Sequence, residues 1–498
     1  MPDFHIGFDF GTSQTKVCLL NKTSGIREFL KFDNNGYFLP SLIVKKYDNT
    51  FSYGDENVPG TKYRYFKMSA AEDRDLIQVT NEDLDGNLRS GSIDDFRKYS
   101  TNCDIKPEIL VVLYLTFIYL YVKKKKSTES TSNVGGLLGR LAGNKNVIEN
   151  TYSINLGIPT EWNNPDHIKR KIKFQSLLLT AVELSNQFEI LEEFLFDTKT
   201  SLLNKISVIN QNHLVALAKK DTEESAELIK TWLQTQKLSV FPESAAGINY
   251  LLQTKRLANG AYATLDIGAG TSDIAIFEVN NYALSRYYCS ESVEIASNDF
   301  YREYSKLLHK RNVVTFDEIK VAENIIRSNT TLNDVFYDNA RKNVKGFLNG
   351  KGIEFAIRKT FYRKYYHPFH QRNQVRAINA KNNLNEKPII VFGGGANLQG
   401  FCSGKYCFYQ GNNPFGHHDN SFVAKPITDY VNQVDISDNS DEIQDYINLL
   451  VLALGLTYGE QNGEYIPFVL PIDETEFQIA NQNFDRYFYY DLQEAVYK

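Results

Sequence analysis

At 498 residues the chain exceeds what one hydrophobic core usually organises, so two core-bearing units are expected. Hydrophobic residues make up 42% and charged residues 23%, with a net charge of −5, which excludes a wholly disordered chain and a strongly basic, polyanion-binding one. Five cysteines, Cys18, Cys103, Cys289, Cys402 and Cys407, are odd in number and scattered, which argues against a disulfide framework and for buried thiols in a reducing compartment.

The first residues carry no basic region followed by an apolar core, so a cytoplasmic protein is the expectation. The apolar run from Ile6 predicts a strand hairpin over 6–20, with a further strand over 26–32. An outer subdomain is expected over about 39–106. The most apolar run, 109–122, covers 14 residues, short of the roughly 20 that a bilayer requires, and predicts a buried helix ending in the lysines at 123–126. Residues 123–150, rich in Lys, Ser, Gly and Asn, read as a mobile insertion.

Apolar spacing predicts a helix over 169–188, and a second over 241–252 that starts after Pro242. A second hairpin begins near Ala261, and an excursion over about 290–385 reads as another outer subdomain before a strand at Ile389. Within it, the basic, aromatic-interleaved stretch 341–376 reads as solvated helix faces, so nucleic acid is not an expected partner. Cys402 and Cys407 lack a second Cys/His pair at metal-binding spacing, and His417 and His418 read as loop. A last helix is expected over 441–458 and an aromatic-rich tail over 460–498. The resulting division is 1–257 and 258–459.

Three short segments carry the chemistry: IGFDFGTSQTKV from Ile6, TLDIGAGTSDIAIF from Thr264 and PIIVFGGGANLQGF from Pro388. In each, a buried-strand pattern breaks into small residues, whose backbone N–H groups can approach a phosphate closely. Asp9 with Gly11, Thr12, Ser13 and Gln14, then Asp266 with Gly268, Ala269, Gly270, Thr271 and Asp273, form a duplicated D-x-G-x(1–2)-T/S pattern. Two such turns facing each other would clamp one triphosphate. Mg²⁺ keeps several of its waters, so Asp9 and Asp266 suit its hydration shell. Gly393, Gly394 and Gly395 would let backbone pass close to a ribose and α-phosphate, with Asn397 beside them.

These segments resemble the two phosphate motifs and the adenosine motif of the superfamily that contains actin, the sugar kinases and the 70-kilodalton heat-shock chaperones. The likeness is strongest to the heat-shock branch, through FLPSLIV at Phe38, YGDENV at Tyr53, YFKMSA at Tyr65, INLGIPTEWN at Ile154 and FPESAAGINYLL at Phe241. It implies an α/β, two-lobed actin-like ATPase fold: duplicated ribonuclease-H-like domains with mixed sheets flanked by helices, and outer subdomains. It implies ATP/ADP and Mg²⁺ as cofactors.

By the same resemblance, Lys67 falls on a catalytic lysine, Glu243 on a carboxylate that holds water or Mg²⁺, and Thr271 on a hydroxyl near the γ-phosphate, with Asp273 orienting the water network. Pro159 resembles a proline that couples nucleotide to lobe rotation. Glu323 and Arg327 match two adenine-cleft residues, whereas Ile326 and Asn397 replace a usual lysine and a usual arginine. The implied function is a slowly hydrolysing ATP switch acting on a protein partner, without the chaperones' peptide-binding domain. Alternatives are a self-associating, filament-forming ATPase, a nucleotide-binding pseudoenzyme and a small-molecule kinase.

Overall fold

The computed structural model describes residues 3–33, 35–71, 78–79, 104–134, 150–163, 168–217, 222–293, 296–312, 314–328, 332–344, 389–398, 424–431, 436 and 441–458. The segment DFHIGFDF is buried over almost its whole length, as a strand must be when it is covered on both faces. This strand, β1 (Asp3–Phe10), turns at residues 11–13 into antiparallel β2 (Gln14–Asn21), which pairs with β3 (Arg27–Phe29) and, at its start, with β4 (Leu39–Pro40).

A small antiparallel sheet follows, with β5 (Ile43–Lys45) between β6 (Phe51–Tyr53) and β7 (Thr61–Tyr63), and β8 (Gln78–Val79) against β7. Helix α1 (Phe66–Ala71) leaves β7 toward the first sheet. Helix α2 (Pro107–Val134) buries its first half on every side, because it lies under β1 and against α3 (Ile168–Ser185). The helix does not end at the lysines 123–126. Lys124, Lys125 and Lys126 are drawn into ion pairs with Glu192, Asp33 and Glu28, so the basic run stays helical and the expected insertion begins as helix through Val134.

Helices α4 (Leu191–Phe196), α5 (Lys199–Leu217) and α6 (Thr222–Thr235) complete that layer. Asp104 accepts from Lys45 and Lys199, and from Tyr63 at 2.7 Å, which ties the small sheet to α5. Strands β9 (Thr151–Ile158) and β10 (Leu238–Pro242) then add parallel on the free side of β1. Helix α7 (Glu243–Gln253) starts directly from Pro242.

The second large sheet repeats this plan. Strands β11 (Gly260–Ile267), β12 (Ser272–Asn280) and β13 (Ala283–Val293) form an antiparallel meander; helices α8 (Ser297–His309), α9 (Phe316–Ser328) and α10 (Asp334–Asn343) follow. Strands β14 (Ile389–Phe392) and β15 (Ala424–Pro426) add parallel beside β11. With β4, which pairs only with the start of β2, left aside, both sheets read third, second, first, fourth, fifth strand, with the same senses. The fold is mixed α/β with several sheets.

The expected last helix is two pieces, α11 (Asp441–Asp445) and α12 (Ile447–Leu456). Tyr446 leaves helical geometry and sets its ring edge-on to Phe38, 5.1 Å between centroids. Helices α7 and α12 cross between the sheets and exchange partners. The helix that follows the first sheet also packs on β11, β12 and β13, and the one that follows the second packs on β1, β2 and β9. The crossing has no room for a side chain: a Cβ on Gly455 would lie 1.6 Å from the Ala246 carbonyl oxygen, and one on Gly7 would lie 2.2 Å from that of Ala453. His5 and Asn155 donate to the terminal Leu456 carbonyl at 3.2 and 2.9 Å.

Cys18 is buried, and desolvation pushes its thiol up, so it is inert packing. The side chain of Cys289, with Cys103, Cys402, Cys407, His417, His418, residues 345–376 and the tail 460–498, lies outside the described residues. Among the described residues no helix is long and apolar enough to cross a membrane. We expect Gly455→Ala to lower unfolding stability by about 1–3 kcal/mol through overpacking of the α7/α12 crossing. An unchanged urea midpoint would contradict that contact.

Candidate functional site

Two hairpins with the same offset build the core of the site. In the first, antiparallel register sets Asp9 directly opposite Lys16, and Lys16 Nζ donates to Asp9 Oδ2 at 2.9 Å. In the second, the equivalent positions are Asp266 and Asp273, two carboxylates directly opposite each other. Opposite charges at such a pair stabilise a hairpin and like charges weaken it. The first hairpin therefore sets a lysine against its strand-end carboxylate, whereas the second sets two carboxylates against each other.

The turns that close these hairpins meet. A Cβ on Gly270 would stand 3.4 Å from Thr12 Cγ2. The Gly268 carbonyl accepts from Ser297 N–H at 3.1 Å and from its hydroxyl at 2.8 Å, and the Ala269 carbonyl accepts from Asn298 N–H at 3.2 Å. A trans peptide directs its N–H opposite to its C=O, so the amides of Ala269 and Gly270 point away from α8.

Glu243, first residue of α7, brings a third carboxylate to the second hairpin; carboxylate oxygens of Glu243, Asp266 and Asp273 lie within 4.8 Å of one another, and all three residues are buried. Lys67 Nζ donates to Glu243 Oε1 at 3.0 Å from the opposite wall. Lys67 enters from α1, whose preceding residue, Tyr65, holds φ +58°, a costly backbone for an aromatic residue that fixes the helix entry. Thr160 Oγ1 accepts from Ser244 N–H at 3.0 Å, so Pro159 and the end of β9 are pinned to the start of α7.

Burial is the largest cause that holds the Asp266 carboxyl well above the usual carboxylate range, and the charges of Glu243, Asp273 and Asp9 add to it. Glu243 is also raised, by burial first, with Lys67 opposing the shift. Four carboxylates, Asp9, Glu243, Asp266 and Asp273, thus face two lysines, Lys16 and Lys67. The hard oxygen donors and the excess negative charge fit a divalent cation such as Mg²⁺.

The cleft has a volume of about 830 Å³, its open mouth included. It gathers Asp9, Gly11, Thr12, Ser13, Gln14, Lys67, Pro159 and Glu243 with Asp266, Gly268, Ala269, Thr271 and Asp273, and with Glu323, Arg327, Gly393 and Gly394. Gly393 has φ +85°, and a Cβ there would lie 2.3 Å from Asp266 Oδ1, so only glycine lets this strand pass the carboxylate. Gly395 packs instead on Ile267, and Gly270 lies against Thr12 at the turn contact. Ile326 is buried, and the Asn397 side chain lies outside the described residues.

Sequence reasoning did not single out Lys16, Met68, Ser297, Asn298, Leu449 and Leu452, which also line the cleft. The register of a hairpin closed at 11–13 would have set Lys16 across from Asp9. The others come from distant helices. A scan against protein-family models and a search of curated proteins found no match to this chain.

The Asp266 carboxyl gives a pH-dependent test. Its raised proton affinity in the folded state favours folding fully below about pH 4, the unfolded value, and that contribution is lost as pH rises through the folded one. In metal-free buffer, Asp266→Asn is expected to raise stability at neutral pH, on the order of 1 kcal/mol, and to flatten this loss. Thermal unfolding followed from pH 4 to pH 8 would refute it if the variant were less stable at pH 7.

Proposed function

We propose that the chain is a heat-shock-chaperone-like ATPase of the two-lobed, actin-like type, a slow Mg-dependent switch that acts on a protein partner. The observation that carries this reading is the contact of the two Gly-rich turns over four buried carboxylates, buried Lys67 and half-buried Lys16. The repeated strand order of the two large sheets supports the duplicated architecture it requires. The retention of Asp9, Lys67, Glu243 and Asp266 together favours turnover over a pseudoenzyme.

In this reading the turn amides and Lys16 hold the phosphates, donors already ordered by the fold and therefore not reorganised at the moment of reaction. Asp9, Asp266 and Glu243 would hold a hydrated Mg²⁺, which would neutralise charge between the β- and γ-phosphates. Lys67 stands at the wall facing Glu243, placed to stabilise charge developing on the γ-phosphate. Glu243, which accepts a hydrogen bond from Lys67 at 3.0 Å, orients water, and Asp273 and the Thr271 hydroxyl border the same space.

In this reading the two large sheets turn against each other about the α7/α12 crossing, where Gly455 lies against Ala246, as nucleotide binds and leaves. Nucleotide drives that rotation only by binding the closed arrangement more tightly.

Single-turnover hydrolysis of ATP with Mg²⁺, with binding followed separately, tests the reading. The wild type is expected to bind and slowly hydrolyse ATP. Lys67→Ala and Glu243→Ala should each retain binding within a few-fold and lose about 10²-fold in hydrolysis. Absence of MgATP binding would overturn the proposal, and unaltered turnover in Lys67→Ala would remove that residue from the chemistry.

A further inference from the structure

The two Gly-rich turns at the hairpin ends are held by the same bond, made by unlike elements. In each hairpin the glycine two residues after the strand-end aspartate offers its carbonyl to a serine hydroxyl. Ser41 Oγ donates to the Gly11 carbonyl at 2.7 Å, and Ser297 Oγ donates to the Gly268 carbonyl at 2.8 Å. Ser297 is the first residue of α8, whereas Ser41 directly follows β4.

Ser41 is buried, and its own N–H donates to the Ser13 carbonyl at 2.9 Å, so one residue ties both ends of the 11–13 turn. A hydroxyl has a single proton. That of Ser41 goes to Gly11, so Thr15, fully buried with its Oγ1 3.3 Å away, is the donor to Ser41. The preceding residue, Pro40, accepts from Tyr114 Oη at 2.9 Å, and the Tyr114 ring stacks on Phe10 with 5.6 Å between centroids. Helix α2 thereby braces the segment that carries Ser41.

The consequence is directional. No peptide bond among the described residues is cis, and a trans peptide sets its N–H opposite to its C=O. Fixing the Gly11 and Gly268 carbonyls therefore fixes the Thr12 and Ala269 amides on the other side of each turn, and Thr12 and Ala269 both line the cleft. Donors set before a ligand arrives need no reorganisation. Resting on the nucleotide reading above, we propose that Ser41 and Ser297 are a matched pair of positioning residues that aim the Thr12 and Ala269 N–H groups at the phosphates. They act through the turn carbonyls. At Gly268 the bond is doubled, because the Ser297 N–H also donates there at 3.1 Å, so the Ser41 hydroxyl carries the larger share.

Calorimetric titration of the intact chain with MgATP and Mg-tripolyphosphate tests this. Ser41→Ala is expected to weaken both ligands by the same factor, about tenfold, and Ser297→Ala by about threefold, while Ser41→Thr, which keeps the hydroxyl, restores most of the loss. Wild-type affinity for tripolyphosphate in folded Ser41→Ala would overturn the proposal and leave the nucleotide reading intact, as would an undiminished loss in Ser41→Thr. Should Ser41→Ala fail to fold, Ser297→Ala decides by the same comparison. A wild-type chain that bound neither ligand would remove both readings.

Discussion

The crossing of α7 and α12 is the contact on which the rest of the arrangement depends. Each helix follows one large sheet and packs against the other, so the distance between the two backbones sets how closely the sheets approach. Glycine at 455 allows the chain to pass directly over Ala246, and His5 and Asn155 hold the end of α12 against the first sheet. With the helices at that separation, the turns after β1 and β11 touch. A side chain at the crossing would part them.

Proximity of the hairpins then creates an electrostatic problem. Carboxylates taken out of water repel one another and favour protonation unless cations enter with them. The first hairpin answers with Lys16, and α1 delivers Lys67 to Glu243, but Asp266 and Asp273 face each other across a strand pair. The fold thus stores an unfavourable interaction at the bottom of its cleft, which a divalent cation would relieve. Such local cost, held in place by surrounding packing, is a common mark of functional sites.

The two ends of the cleft have opposite economies of polar groups. At the end lined by the two hairpins, strand-end carboxylates and turn amides converge from both sheets; at the other, Glu323 pairs with Arg327 and Lys320. Glu323 and Arg327, singled out in the sequence, both line the cleft and are joined there by an ion pair that residue identity alone does not reveal.

Local structure was legible from the sequence because it rests on short-range rules. The buried runs before Gly11, Gly268 and Gly393 announced strands, Pro242 announced the start of α7, and even the Lys16–Asp9 pair follows from hairpin register, although Lys16 was not singled out. The continuation of the helix past the lysines at 123–126 was missed, because their ion-pair partners, Glu192, Asp33 and Glu28, are remote in sequence. The break at Tyr446 was equally invisible, since its ring partner Phe38 lies some 400 residues away. The sequence by itself determined the strands, the small-residue turns and the carboxylates at their ends. Only tertiary structure decided that the turns meet, that Lys67 reaches Glu243 and that burial raises the proton affinity of Asp266, because these depend on long-range packing and burial that no local pattern encodes.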